Sequence, residues 1–135
     1  MICFATTDHL ENLIYHDKHI TQAELERSIK DHRILVLYQG DQFVGWLRYN
    51  LFWDNTPFMN LLYILSEYRG QGFGKQLMEF WESEMKTQGF SLVLTSTLTT
   101  ETAQHFYRKL GYKDCGSFSL PNEPTEIIFL KNLAL

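Results

Sequence analysis

The succession of hydrophobic patterns along these 135 residues predicts a mixed α/β fold, a central sheet with helices packed on it. Three observations carry that prediction. Helical periodicity opens the chain, two apolar runs flank a Gly40-Asp41 turn, and two strand-then-helix pairs lead into a closing pair of strand-like segments. The length suits one domain over residues 1–135 with a single core.

The elements follow in order. In "TQAELERSIKDH" Thr21 is placed to N-cap a helix, Glu24 stands three residues on as in a capping box, and Leu25 and Ile29 share a face. A shorter helix around Leu10 to Tyr15 precedes it, so the first thirty residues read as helical. "RILVLYQGDQFVGWLRYNLF" reads as a hairpin of β-branched, aromatic and aliphatic residues. "WDNTP" breaks it, and "FMNLLYILS" is apolar almost throughout, as a central strand covered on both faces should be. Phe73, Leu77, Phe80, Trp81 and Met85 then recur at helical spacing, with Glu79, Glu82 and Lys86 mostly opposite, and the helix stops near Gly89. "FSLVLTST" is a buried strand. In "ETAQHFYRKLGY" Ala103, Phe106, Tyr107 and Leu110 form a helical face closed by Gly111. "YKDCGSFSL" and "TEIIFL" supply the last two strands.

Composition excludes several functions. Twelve basic and sixteen acidic side chains give a formal charge of -4, which provides no general attraction for nucleic acid. The start "MICFATTDHL" has no basic region ahead of an apolar stretch, and "LLYIL" is far short of the ~20 residues of a membrane span. A cytoplasmic protein without membrane partners is expected. Cys3 and Cys115 are too few for a disulfide framework or a Cys-ligated zinc site and read as reduced thiols. His16 and His19 have no further ligand cluster with them, so no metal is expected.

The densest signal is "YRGQGFGKQL", residues 68–77, set between a strand and a helix. A dinucleotide fingerprint would need a glycine where Lys75 stands, and a P-loop would need Ser or Thr where Gln76 stands. What remains is Arg69-x-x-Gly72-x-Gly74. Glycines let successive N–H groups converge on one point, and the start of a helix adds unsatisfied donors and a positive dipole end. That arrangement suits a phosphate or diphosphate. The plain alternative is a tight strand-to-helix turn with two solvated cations, Arg69 and Lys75.

Some thirty residues later comes "FYRKLGY". The pairing of strand-R-x-x-G-x-G-helix with strand-helix-FYRKLGY resembles the GNAT superfamily of acyl-CoA-dependent N-acyltransferases, over about residues 33 to 130 in element order and most specifically at about 58–77 and 100–112. The resemblance implies a mostly antiparallel sheet of six or seven strands with about four helices and one splayed parallel pair. It implies acetyl-CoA as cosubstrate, its pantetheine arm beside a strand ending at Ile64 and Leu65. An N–H near Leu65 would polarise the thioester carbonyl. The diphosphate would sit on the N–H groups of Gly70, Gln71, Gly72, Phe73, Gly74 and Lys75, with Arg69 adding charge. Tyr107 matches the family's general acid; a phenol near ~10 can donate to a leaving thiolate near ~8.5. Read from the residues alone, Tyr107 is equally an amphipathic core residue. Where the family often has an asparagine contacting the cofactor arm, seven residues before the tyrosine, this chain has Thr100, which also reads as a helix N-cap.

The acceptor is expected to be a primary amine of a small molecule or peptide, attacking directly in a ternary complex. Asp54 is the first candidate base, in a loop where Trp53 can cover a cation; its turn-forming reading stands beside that one. Glu67, Glu123 and Glu126 are secondary candidates. Two rival functions share these residues: a sensor or structural domain of the same fold that binds acyl-CoA without transferring it, and a binder of some other phosphate ligand. A homodimer is the expected assembly, from the aromatics of "WLRYNLFW" and a tail, "FLKNLAL", suited to extend a partner's sheet edge.

Overall fold

The computed structural model describes residues 1–134. Its elements are β1 (Ile2–Phe4), α1 (Leu10–His16), α2 (Gln22–Lys30), β2 (Ile34–Gln39), β3 (Gln42–Phe52), β4 (Thr56–Ile64), α3 (Phe73–Thr87), β5 (Leu92–Leu98), α4 (Ala103–Lys109), β6 (Lys113–Phe118) and β7 (Glu126–Asn132). The seven strands form one mostly antiparallel sheet in the order β1-β2-β3-β4-β5-β7-β6, so β4 is the middle strand, as its apolar run requires. The one parallel pair is β4 with β5, in register at Phe58 with Leu94 and Met59 with Thr95.

Three expectations change. The start of the chain is not wholly helical: Ile2, Cys3 and Phe4 pair antiparallel with Leu37, Val36 and Leu35, a strand too short to show a period in sequence. β4 is covered less than its composition implies, for Pro57 and Met59 are buried while Leu61, Leu62 and Ile64 are only half-buried and Tyr63 is exposed. The tail cannot extend a partner's sheet edge as expected, because β7 is paired with β5 on one side and β6 on the other; Leu135, its last residue, lies outside the described residues.

The chain groups into two compact units, Met1–Tyr49 with Leu61–Trp81, and Asn50–Asn60 with the chain from Glu82 onward. In the first, Thr21 caps α2 by accepting from Glu24 N, as read from sequence. Leu25 and Ile29 of α2 and Leu13 of α1 join Ala5, Ile34, Val36, Phe43 and Trp46 in a core. Asp17, just past α1, is buried there, and its carboxylate accepts from Arg48 Nε at 2.7 Å, from Trp46 Nε1 at 3.1 Å and from His19 N at 3.1 Å. His16 is used in packing, its ring stacked on Phe43 at 5.2 Å.

In the second unit β5 pairs along its whole length with β7, Leu92 with Asn132 through Leu98 with Glu126. Val93, Thr95, Ile128 and Phe129 of this ladder are buried, together with Tyr107 of α4 and Tyr112. Glu82 is also buried there, not solvated as its position opposite the apolar helical face implied. Its carboxylate is satisfied by Tyr112 Oη and Lys131 Nζ, each at 2.8 Å, so the desolvation cost is met by two charge-assisted bonds.

Candidate functional site

β4 ends at Ile64, and a short 3-10 turn, Ser66–Tyr68, leads into the glycine segment. Gly70 and Gly72 have φ of +75° and +85°, the left-handed region where a side chain is strained. No heavy atom outside the local chain lies within 4 Å of a Cβ built on either, so backbone conformation and not space makes glycine necessary. The first helical hydrogen bond of α3 here is Gln76 N to Gly72 O, 3.1 Å. The N–H groups of Phe73, Gly74 and Lys75 therefore lead the helical ladder at the positive end of a 15-residue helix.

The two cations behave differently from each other. Arg69 donates from Nε to the Ile64 carbonyl at 2.9 Å, with its guanidinium over the Tyr63 ring at 5.1 Å, and so ties the loop to the end of β4. Lys75 is exposed, with Glu79 one turn on at 3.9 Å. Gln71 is likewise a brace, donating from its side chain to the Glu67 carbonyl at 3.4 Å.

The Leu65 N–H donates to the Val44 carbonyl at 2.9 Å. It is engaged within the first unit, so the Leu65 N–H itself is not a free donor for a thioester carbonyl. The same contact exposes a residue that sequence reasoning passed over. A Cβ on Gly45 would stand 2.5 Å from the Tyr63 carbonyl oxygen and 2.7 Å from Ile64 Cδ1. Only glycine lets β3 approach the end of β4 so closely. Gly45→Ala is expected to cost about 1–3 kcal/mol of stability, read from a denaturant midpoint, because backbone atoms and not a flexible side-chain tip must move.

Tyr107 stands in the middle of α4, only 6% exposed. Its ring packs against Phe129 at 5.8 Å, Tyr112 at 5.9 Å and Phe106 at 5.4 Å. Burial pushes its phenol up to about 12, the hydrogen bond with Thr95 opposes that rise, and the negative charge of Glu101 adds to it. The phenol therefore stays protonated throughout the neutral range. The packing is that of the amphipathic core residue read from sequence, and the ring keeps a donor hydroxyl.

Thr100 is exposed in the turn before α4. The helix N-cap is Thr102, and its side chain makes no capping bond. Gln104 instead donates to the carbonyls of Thr99 and Glu101, both at 2.9 Å, so the N-cap reading of Thr100 is corrected. Asp54 is exposed at the tip of the β3–β4 hairpin, where Trp53 and Asp54 both take left-handed φ, +57° and +66°. Its N–H reaches the Leu51 carbonyl at 3.3 Å. Asp and Asn are the side chains that tolerate this conformation, which accounts for Asp54 as a turn residue.

A groove of about 220 Å³ in the second unit is lined by Asn50, Leu51, Phe52, Phe58, Asn60 and Phe118, with no charged side chain. Among the described residues no group of three His, Cys, Asp or Glu is placed to hold a metal ion, and no helix is long and apolar enough to cross a membrane.

The family model for the acetyltransferase (GNAT) domain matches residues 30–114, from the end of α2 to the start of β6. No curated protein matches the chain. Among solved structures, Ard1 from Thermoplasma volcanium aligns with 17% identity and a TM-score of 0.82, covering 98% of this chain and 96% of that one. The GNAT-family acetyltransferase from Bacillus cereus ATCC 10987 aligns with 20% identity and a TM-score of 0.79, over 98% and 96%. PaiA N-acetyltransferase from Thermoplasma acidophilum, in complex with coenzyme A, aligns with 19% identity and a TM-score of 0.78, over 98% of each chain. These likenesses concern the fold, while the family model spans the stretch that holds the hairpin, the glycine loop and the tyrosine helix, and by that match the chain belongs to the GNAT acetyltransferase family.

Proposed function

We propose that this chain is one acetyl-CoA-dependent N-acetyltransferase domain that acylates a primary amine of a small molecule or peptide by direct attack. The observation that carries the reading is the glycine loop: two left-handed glycines hold bare backbone ahead of α3, the geometry a diphosphate needs. Family membership and relatives solved with coenzyme A support the same ligand. The half-buried apolar end of β4, Leu61, Leu62 and Ile64, is the surface we assign to the pantetheine arm. An apolar strand end left uncovered gains by burial under an extended ligand.

In this reading Tyr107 protonates or hydrogen-bonds the departing thiolate of coenzyme A, while the loop N–H groups and Lys75 hold the diphosphate. Arg69 acts chiefly as the brace that keeps the loop on the strand. The uncharged, aromatic and carboxamide-lined groove is assigned to the acceptor, which favours an amine carried on an apolar or peptide group over a polycation. Asp54 is assigned to the turn. Asp54→Asn keeps a residue suited to left-handed φ and removes the carboxylate, so its turnover is expected to stay within about twofold of the parent; a general base would show a loss of roughly 10²-fold or more.

Calorimetric titration with acetyl-CoA, coenzyme A and ATP at fixed salt tests the cofactor. Micromolar binding of acetyl-CoA with weak ATP is the expected result. Absence of acetyl-CoA binding would reduce the loop to a turn and remove the proposal. An acyl-CoA sensor of the same fold would bind equally well and turn over no amine, so an amine screen on the binding-competent protein separates the two.

A further inference from the structure

Residues directly opposite each other in a sheet point to the same face, so the strand register of the second unit sorts its side chains into two sets. Phe129 of β7 packs on Tyr107 of α4, and Asp114 of β6, opposite Phe129, bonds Arg108 of the same helix at 3.0 Å. These mark the face that α4 covers. On the other face stand Phe58 of β4 with Leu94, Ser96 and Leu98 of β5, and Glu126 of β7, which is opposite both Leu98 and Phe118. An unbroken strand would put Phe118 on the face of Asp114. The register shifts between Asp114 and Gly116, and this bulge at Cys115 turns the Phe118 ring the other way, where with Phe58 and Asn60 it lines the groove of about 220 Å³.

Glu126 is half-buried, the cross-strand neighbour of Phe118 at the β7 side of that groove. Its Oε1 accepts from Ser96 Oγ at 2.9 Å, and Ser96 directly follows Thr95, where the pairing of β5 with β4 ends. Among the described residues Oε2 accepts no hydrogen bond and the carboxylate forms no ion pair. Lys113, opposite Leu130, is the other charged side chain that these strands place on this face, farther along β7. A half-buried carboxylate without a counter-charge favours a cation from outside the chain. The rings of Phe52, Phe58 and Phe118 favour an apolar body on that cation.

We propose that Glu126 holds the ammonium group of the acceptor and takes its proton, and that the acceptor is a primary amine carried on an apolar, ring-sized group seated between Phe58 and Phe118. This deepens the acetyl-transfer reading and rests on it. An N–H bond of the ammonium breaks, its electron pair stays on nitrogen, and an O–H bond forms at Oε2. The nitrogen pair then forms the C–N bond to the acetyl carbon while the C–S pair leaves with sulfur. Glu126 returns its proton to water, and the second proton shed by nitrogen balances the one that sulfur gains as thiol. No other reactant is needed.

Two probe amines test this in the full chain, with thiol release as the readout: phenethylamine, an ammonium at neutral pH, and O-benzylhydroxylamine, of similar size and neutral there. Glu126→Gln keeps an acceptor for Ser96 and removes the charge. It is expected to lose about 10²-fold in kcat/KM with phenethylamine and to stay within about threefold of the parent with O-benzylhydroxylamine, its affinity for acetyl-CoA unchanged. Phe118→Ala, at a position 44% exposed, is expected to raise KM about tenfold for both probes and to leave kcat within about twofold. Should Glu126→Gln fail to fold, Ser96→Ala, which frees the carboxylate from its tether, is expected to show a loss of about fivefold confined to phenethylamine.

A residue that only joins β5 to β7 would depress both probes equally, and that result overturns the proposal. A parent that binds acetyl-CoA and turns over neither probe also overturns it, leaving the cofactor reading in place. A parent that binds no acetyl-CoA removes the acetyl-transfer reading and the role of Glu126 with it.

Discussion

Tyr107→Phe is expected to lower turnover by roughly 10²–10³-fold while the affinity for acetyl-CoA stays within about twofold of the parent. The substitution removes one oxygen from a ring whose contacts with Phe129, Tyr112 and Phe106 are all made by carbon, so the packing survives. Burial works against simple proton donation. A phenol at about 12 giving its proton fully to a thiolate near ~8.5 is uphill by roughly 5 kcal/mol. The phenol therefore contributes most as a hydrogen bond that strengthens while charge builds on sulfur, with transfer completed as the thiol departs. Such a donor acts in the transition state and not in the ground state, so kcat falls and binding does not. Its contribution should shrink for acyl donors with a more acidic thiol leaving group. Unchanged turnover with coenzyme A thioesters, measured by thiol release, would return Tyr107 to a purely packing role.

The parts of this molecule that were legible in sequence are those whose physics is local. Gly70 and Gly72 announce positive φ by being glycine. Leu77, Trp81 and Met85 announce a buried helical face by their spacing, and each is fully buried. Thr21 and Glu24 mark a helix start within four residues of chain. What escaped depends on partners distant in sequence. Gly45 reads as an ordinary glycine in "FVGWL" until the end of β4, near Tyr63 and Ile64, is laid against it. Thr95 is one of several threonines in "LTSTLTT", and only the neighbouring strand gives its buried hydroxyl a partner, the Met59 carbonyl. Glu82 has the spacing of a solvated helical position and becomes a buried one through Tyr112 and Lys131, some thirty and fifty residues away. The Leu65 N–H could be assigned to a ligand only while the carbonyl of Val44 was out of sight. Unlike a period, a hydrogen bond between distant residues leaves no trace in the chain.

Asp17 shows the same limit with the largest consequence for stability. In "YHDKHI" it reads as a surface charge among histidines and a lysine, yet its side chain is fully buried and Arg48, its partner, is 11% exposed. Asp17→Ala is expected to destabilise the protein by about 3–5 kcal/mol, because it leaves a guanidinium nearly out of water with no counter-charge and takes the acceptor from the Trp46 indole. The pair also ties the end of α1 to β3, so local order of α1 should fall with global stability, visible as faster amide exchange over Leu10–His16. Its pH dependence follows from the direction of the Asp17 shift. Burial alone would raise that carboxyl, but the hydrogen bonds and charge of Arg48, with help from His19 N and Trp46, hold it below the ordinary range. A carboxyl depressed in the folded state contributes stability above its unfolded value near ~3.9 and loses it as pH falls through the folded one. The parent should therefore lose stability steeply on the acid side, and Asp17→Asn, which cannot ionise, should be less stable at neutral pH with a flatter acid limb. Denaturant titrations of both proteins from neutral pH downward measure this directly. Parallel curves would show that the carboxylate is not ionised in the fold and that Arg48 is held by other means.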